Sequence, residues 1–171
     1  MPLIISEEED QLYKIQKAFI DIASANSELQ ALLTESVSGD FVISEQELSN
    51  EMITGFPKLS IYPDGDESYI DKGNGQIDTE SIFNFELAVN VEDEDPNQQE
   101  IKAKFLTRRL LWSILRIIRS SEGGINLKKT VSYWKPFKFK FSPIYNPEVN
   151  IITFSSIMKV RVVFSLKSIN F

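Results

Sequence analysis

The chemistry open to this 171-residue chain is that of carboxylates, lysines, arginines and aromatic rings, because it contains neither histidine nor cysteine. The commonest general base, the usual metal-ligating imidazole and every Ser-His or Cys-His relay are missing, which leaves carboxylate, Lys or Tyr chemistry and disfavours an enzyme. The absence of thiols excludes a disulfide framework and a thiolate metal site. No cofactor is expected. Three groupings remain. The first lies between residues 101 and 119, where a 100° step per residue resolves three stripes on a helix. Ala103, Leu106, Leu110, Ile114 and Ile117 form a core face, and Lys102, Arg109 and Arg116 form a basic rail. Ile101, Phe105 and Trp112 lie between that rail and a second basic edge of Lys104, Arg108 and Arg119. Apolar anchors ringed by arginine are what protein interfaces favour. Three accounts fit the patch: cover by another layer of the same chain, a subunit contact, or base stacking on single-stranded nucleic acid.

The second grouping is acidic: Asp64, Asp66 and Glu67 in one turn-like stretch, with Asp71 beyond them, and Glu92 to Asp95 in another. Neither stretch has the ordered ligand spacing of a calcium loop, so no metal is expected there. The third is the run Trp134 to Phe141, in which Lys135, Lys138 and Lys140 interleave with Phe137, Phe139 and Phe141. A half-buried strand with phenylalanines inward and lysines outward accounts for it. Lysines on the open side can still meet a phosphate backbone without reading bases.

The elements that must position these groups follow from pattern. Ser6 to Glu9 has capping-box spacing, and Leu12, Ile15, Phe19 and Ile22 then recur at helical steps. A second short helical stretch passes through Leu29, Leu32 and Leu33. Residues 38–56 read as a polar insertion with a short helix after Ser44. Lys58 to Tyr62 reads as a short edge strand between prolines, and residues 64–76 as a mobile hairpin or loop carrying Gly65, Gly73 and Gly75. Phe83, Phe85, Leu87, Val89 and Val91 alternate with polar partners, which predicts a strand. Asp95 and Pro96 then cap and open a helix to about Ser120, and Gly123-Gly124 is expected to stop it. Strands are expected over 127–134, 137–141 and 151–166, the last long enough to outrun a compact domain and reach another subunit. The sum is a single α+β domain, a mixed or antiparallel sheet with two principal helices packed on one face.

Charge divides the chain more sharply than its net value of −7 suggests. Residues 1–100 carry 23 Asp and Glu against 4 Lys, whereas residues 101–171 carry 14 Lys and Arg against Glu122 and Glu148. Such a division suits a polyanion partner or head-to-tail self-assembly, or is cancelled inside one domain. No apolar run approaches the roughly 18 residues of a membrane span, and residues 1–10 are acidic, unlike a signal peptide. A soluble, cytoplasmic protein is expected.

In element order the chain resembles the tail terminator proteins of long-tailed bacteriophages, also called tail completion or tail-to-head joining proteins. The resemblance rests on the acidic opening helix, the strand between Pro57 and Pro63, the strand Phe83 to Val91 feeding the helix Pro96 to Ser120, and the closing strand Ile157 to Leu166. It covers about two thirds of the chain, without a diagnostic motif. It implies a structural virion protein, assembled in the host cytoplasm and located at the head-proximal end of the tail. There it forms a homo-oligomeric ring, typically a hexamer, that caps the tail tube and ends its polymerisation. The ring offers a docking surface to a neck or head-completion protein. DNA would pass through it without sequence recognition, with Lys135, Lys138 and Lys140 as channel lining. The subunit or partner interface would take Ile101, Lys102, Phe105, Arg109, Trp112 and Arg116 against Asp64, Asp66, Glu67 and Asp71. The alternative is a nucleic-acid-binding accessory protein using the basic C-terminal half.

Overall fold

The computed structural model describes residues 10–36, 42–44, 58–73, 75–89, 94–127, 131–146 and 151–166. The capping-box spacing at Ser6 and most of the 38–56 stretch lie outside them. Helix α1 (Gln11–Ala25) is instead capped by Asp10, whose carboxylate accepts from the Leu12 and Tyr13 amides. After Asn26, which accepts from the Leu29 amide, α2 (Ser27–Ser36) follows. The expected α3 (Pro96–Ser120) is present, with Asp95 as its cap and Pro96 in its first turn.

Gly123-Gly124 does not stop α3. The helix ends at Ser120, and both glycines lie within a further short helix, α4 (Glu122–Leu127). They are there for proximity. A Cβ on Gly124 would lie 1.8 Å from the Ile118 carbonyl oxygen, and one on Gly123 would lie 2.6 Å from the Ile22 side chain in α1.

Five strands form one sheet in the order β1-β2-β3-β5-β4: β1 (Val42–Ser44), β2 (Lys58–Asp71), β3 (Ile77–Val89), β4 (Val131–Asn146) and β5 (Ile151–Leu166). Four are antiparallel, and the three-residue β1 runs parallel to β2. The sheet is mixed, and the helices cover one face. On that face Ile61, Phe83, Phe85, Leu87, Met158, Val160 and Val162 are buried against Ile15, Phe19, Ala103, Leu110, Ile114 and Ile118. Phe19 meets Phe83, Phe85 and Trp134 edge-on, with centroids 5.2 to 5.7 Å apart.

Two strand expectations change. The strand at Lys58 is longer than expected and runs to Asp71, so of the hairpin or loop expected over 64–76 the hairpin is found, an arm closed by a turn at Lys72 to Gln76. Between Pro63 and Glu67, β2 spends three residues against one of β3, and Gly65 takes φ +91° there. Two extra residues preserve the alternation, so even-numbered positions of β2 stay on the same face. The long β5 does not outrun the domain. It is an inner strand, paired with β3 from Phe154 to Leu166 and with β4 from Ile151 to Phe164.

Candidate functional site

Strand β4 is an edge strand, and its single-residue bulge sets the geometry beside it. Pro136 pairs with Val160 and Lys138 with Lys159, so Phe137 is the extra residue. One extra residue reverses the alternation. Trp134 and Pro136 face the helices before the bulge, and Phe139 and Phe141 do so after it. The expectation that Phe137 points inward is therefore wrong. It is 44% exposed, with the Arg161 guanidinium 5.0 Å from its ring centre.

Helix α3 runs beside this edge, and a groove follows the seam. One part, about 480 Å³, is lined by Trp112, Leu115, Arg116, Arg119, Trp134 and Pro136 among others. Another, about 200 Å³, is lined by Arg108, Trp112, Pro136, Phe137, Lys138 and Phe139 among others. Trp112 and Pro136 belong to both, so the tryptophan stands at the middle of the groove. Arg119 is fixed in the wall, donating to the Trp134 carbonyl with its guanidinium 4.5 Å from that ring. Trp134 and Pro136 were not among the residues singled out as a site; the proline beside two aromatics was the available signal for a bulge.

The outer face of α3 is as expected. Ile101, Phe105 and Trp112 are 48, 56 and 47% exposed, and Lys102, Lys104, Arg108, Arg109 and Arg116 are exposed around them. The inner face is broader than the predicted stripe. Thr107, Leu111, Leu115 and Ile118 are buried as well, while Leu106 is only partly so. The structure brings Trp112 and Arg116 to the groove and Lys138 to its β4 rim, paired opposite the far-face Lys159; Ile101, Lys102 and Phe105 lie toward the N-terminal end of the helix. Lys135 and Lys140 are exposed on the far face of the sheet, where Lys135 is paired opposite Arg161 and Lys140 opposite Ile157.

The acidic residues separate into two groups. Asp64 turns onto the far face, ion-paired with Lys159 at 2.8 Å and accepting from Asn84 at 2.9 Å. Burial raises its carboxyl, but the bonds from Lys159 and Asn84 and the Lys159 charge outweigh that and hold it below the usual 3.8. Asp64 is thus a structural partner, not a free interface residue. Asp66, Glu67 and Asp71 are exposed on the outer half of β2, beyond the reach of β1, alongside Tyr69 and Ile70 at 62 and 50% exposure. Glu67 accepts from the Tyr69 hydroxyl at 2.7 Å, and this bond with the adjacent charge pushes the phenol up. Among the described residues, no three potential ligands converge as a metal site would require. No described helix is long and apolar enough to cross a membrane.

The far face holds a ladder of polar pairs. Glu80 meets Arg161 at 3.1 Å, Lys72 meets Asp78, Ser165 donates to Asp78 at 2.7 Å, and buried Glu86 accepts from Tyr62 and Ser155. Two ion pairs, Asp64–Lys159 and Glu80–Arg161, join the acidic half of the chain to the basic half. At the opposite edges of the sheet exposed charge is acidic on outer β2 and basic on α3 and β4. No protein-family model and no curated protein sequence matches this chain.

Proposed function

We propose that the protein is a structural ring-former of the tail terminator kind. It would cap a bacteriophage tail tube, end tube polymerisation and present a docking surface to a neck or head-completion protein. The observation that carries this reading is the placement of opposite charge at the two opposite edges of one sheet. Edges that differ in this way suit a head-to-tail contact, which closes into a ring when the rotation per subunit divides the circle. The element order of the sequence supports the same reading. A hexamer with DNA passing without base recognition is its fullest form, and the lysines of β4 would then line the channel. A strongly basic lining would retain DNA through counterion release, so passage is expected to quicken as salt rises.

The test is to add the purified protein to polymerising tail tube protein from the same phage. Tubes should stop growing and carry a cap at one end in electron micrographs; tubes that lengthen unaffected would refute the role.

Exposed Trp112 between Arg108 and Arg116 favours a second reading, an accessory protein that binds single-stranded nucleic acid. It predicts salt-sensitive binding of an oligonucleotide by the monomer, with Trp112 fluorescence quenched.

A further inference from the structure

Seven of the eight large apolar side chains that are exposed among the described residues fall on α3, β4 or the outer half of β2. Those are the same places where uncancelled charge lies. On the α3/β4 side Trp112 stands in the groove and Ile101 and Phe105 lie further along the same helix face, while Phe137 and Tyr133 are on the far face of β4, Phe137 at the groove's rim. On β2 they are Tyr69 and Ile70, flanked by Asp66, Glu67 and Asp71. Each edge therefore joins an apolar anchor to one sign of charge.

We infer that the groove between α3 and β4 receives the β2–β3 hairpin arm of a second copy of this chain, with Tyr69 seated against Trp112 and the arm's carboxylates facing Arg108 and Arg116. This deepens the ring reading and rests on it. Four features select that occupant. The arm's charge is opposite to the groove's, so approach is steered and like-with-like pairing of either edge is penalised. Glu67, Tyr69 and Asp71 pair with Ser81, Thr79 and Ile77, which places them on the helix-covered side of the sheet, the side on which the groove opens. Patches on one side but at opposite edges meet when copies follow each other head to tail, whereas a twofold dimer would bring equal edges together. The Glu67 bond holds the Tyr69 ring in one orientation before contact, so less side-chain freedom is lost on docking.

Side chains rather than backbone should make the contact on β4. Pro136 lacks an N–H, and the bulges near Ser132 and at Phe137 break the regular run of edge groups that strand addition needs. The joint is thus an aromatic and salt-bridged one, and it should weaken with salt without vanishing, since Trp112 and Tyr69 contribute irrespective of ionic strength.

The native chain lacks cysteine, which makes covalent trapping unambiguous. A chain carrying both Tyr69→Cys and Trp112→Cys, treated with a short bismaleimide, should give a ladder of covalent multimers ending at the ring size. Either single variant alone should give none, and a mixture of the two should give dimers only. Charge reversal supplies the second arm. Glu67→Lys with Asp71→Lys should raise the assembly midpoint by roughly 30-fold or more, as should Arg108→Glu with Arg116→Glu. The chain carrying all four changes should regain assembly, with far-UV circular dichroism unchanged throughout. A parent ring that persists in both double variants and yields no ladder would overturn the pairing while leaving the ring intact. A parent that is monomeric with and without tail tube protein would remove the ring itself. Loss of oligonucleotide binding in the basic-edge variant alone, with assembly unaltered, would assign the groove to nucleic acid and overturn the inference. Cross-linking by Tyr69→Cys alone would overturn it in favour of a twofold contact.

Discussion

The two faces of the sheet are built from alternate residues of the same strands yet are held by different forces. Strand β3 gives Phe83, Phe85, Leu87 and Val89 to the helix-covered face, where dispersion and the hydrophobic effect act without direction. The same strand gives Asp78, Glu80, Asn84 and Glu86 to the far face, where the three carboxylates accept from donors on β2, β5 or the connecting turn and the Asn84 amide donates to Asp64. The comparison teaches how the fold takes up part of a charge asymmetry along the chain. The topology places acidic β3 beside basic β5, with Asp64 of β2 reaching Lys159 as well, so the far face pairs charge from both halves. The charge that the order β1-β2-β3-β5-β4 leaves exposed at the two edges is open to a partner.

The sharpest way to break the comparison is to put a charge on the apolar side. Leu110→Asp buries an unpaired carboxylate in a position 4% exposed and should cost about 4 kcal/mol or more, enough to unfold a marginal domain. A parent-like thermal melt would contradict the assignment of the inner face of α3. Next comes Gly124→Ala, whose methyl would overlap the Ile118 carbonyl; separation of α3 from α4 should cost about 2 to 4 kcal/mol in urea unfolding.

The far face should respond less to single changes. Tyr62→Phe removes one donor from the buried Glu86 carboxylate and should cost about 1 to 2 kcal/mol, measurable as a lowered denaturant midpoint at unchanged slope. The smallest effect belongs to the partly exposed Asp64–Lys159 pair. Because the folded carboxyl titrates below its unfolded value of 3.8, its contribution is present above that pH and is lost as pH falls through the folded value. Lys159→Met should cost about 0.5 to 1 kcal/mol at neutral pH and flatten the decline in stability below about pH 4. An equal acid limb in parent and variant would show that the pair does not form.

Features governed by neighbours in sequence were legible before any coordinates. The alternation from Phe83 to Val89 and the Asp95-Pro96 opening of α3 are local signals, and both elements are found there. The exposed Ile101, Phe105 and Trp112 stripe was legible too, since a wheel needs only spacing. What depends on distant partners was not. Asp64 and Lys159 are 95 residues apart, so nothing local marks Asp64 as already paired. Gly123-Gly124 has the composition of a helix stop, yet tertiary approach of α1 and α3 dictates those residues. The narrow stripe expected on α3 missed Leu111, Leu115 and Ile118 because that helix packs on the sheet through a wider arc than its strongest hydrophobic positions suggest. Phe137 was misplaced because one extra residue reverses a strand's phase, and Pro136 was the one local sign of it.

The claim that uncancelled edge charge joins copies head to tail is tested most directly by the native mass of the full chain, by mass spectrometry or light scattering, alone and on short tail tubes. One closed species of fixed subunit number, loosened but not abolished by salt, is the predicted result. A monomer under both conditions, or an open series of sizes without a preferred closure, would contradict it.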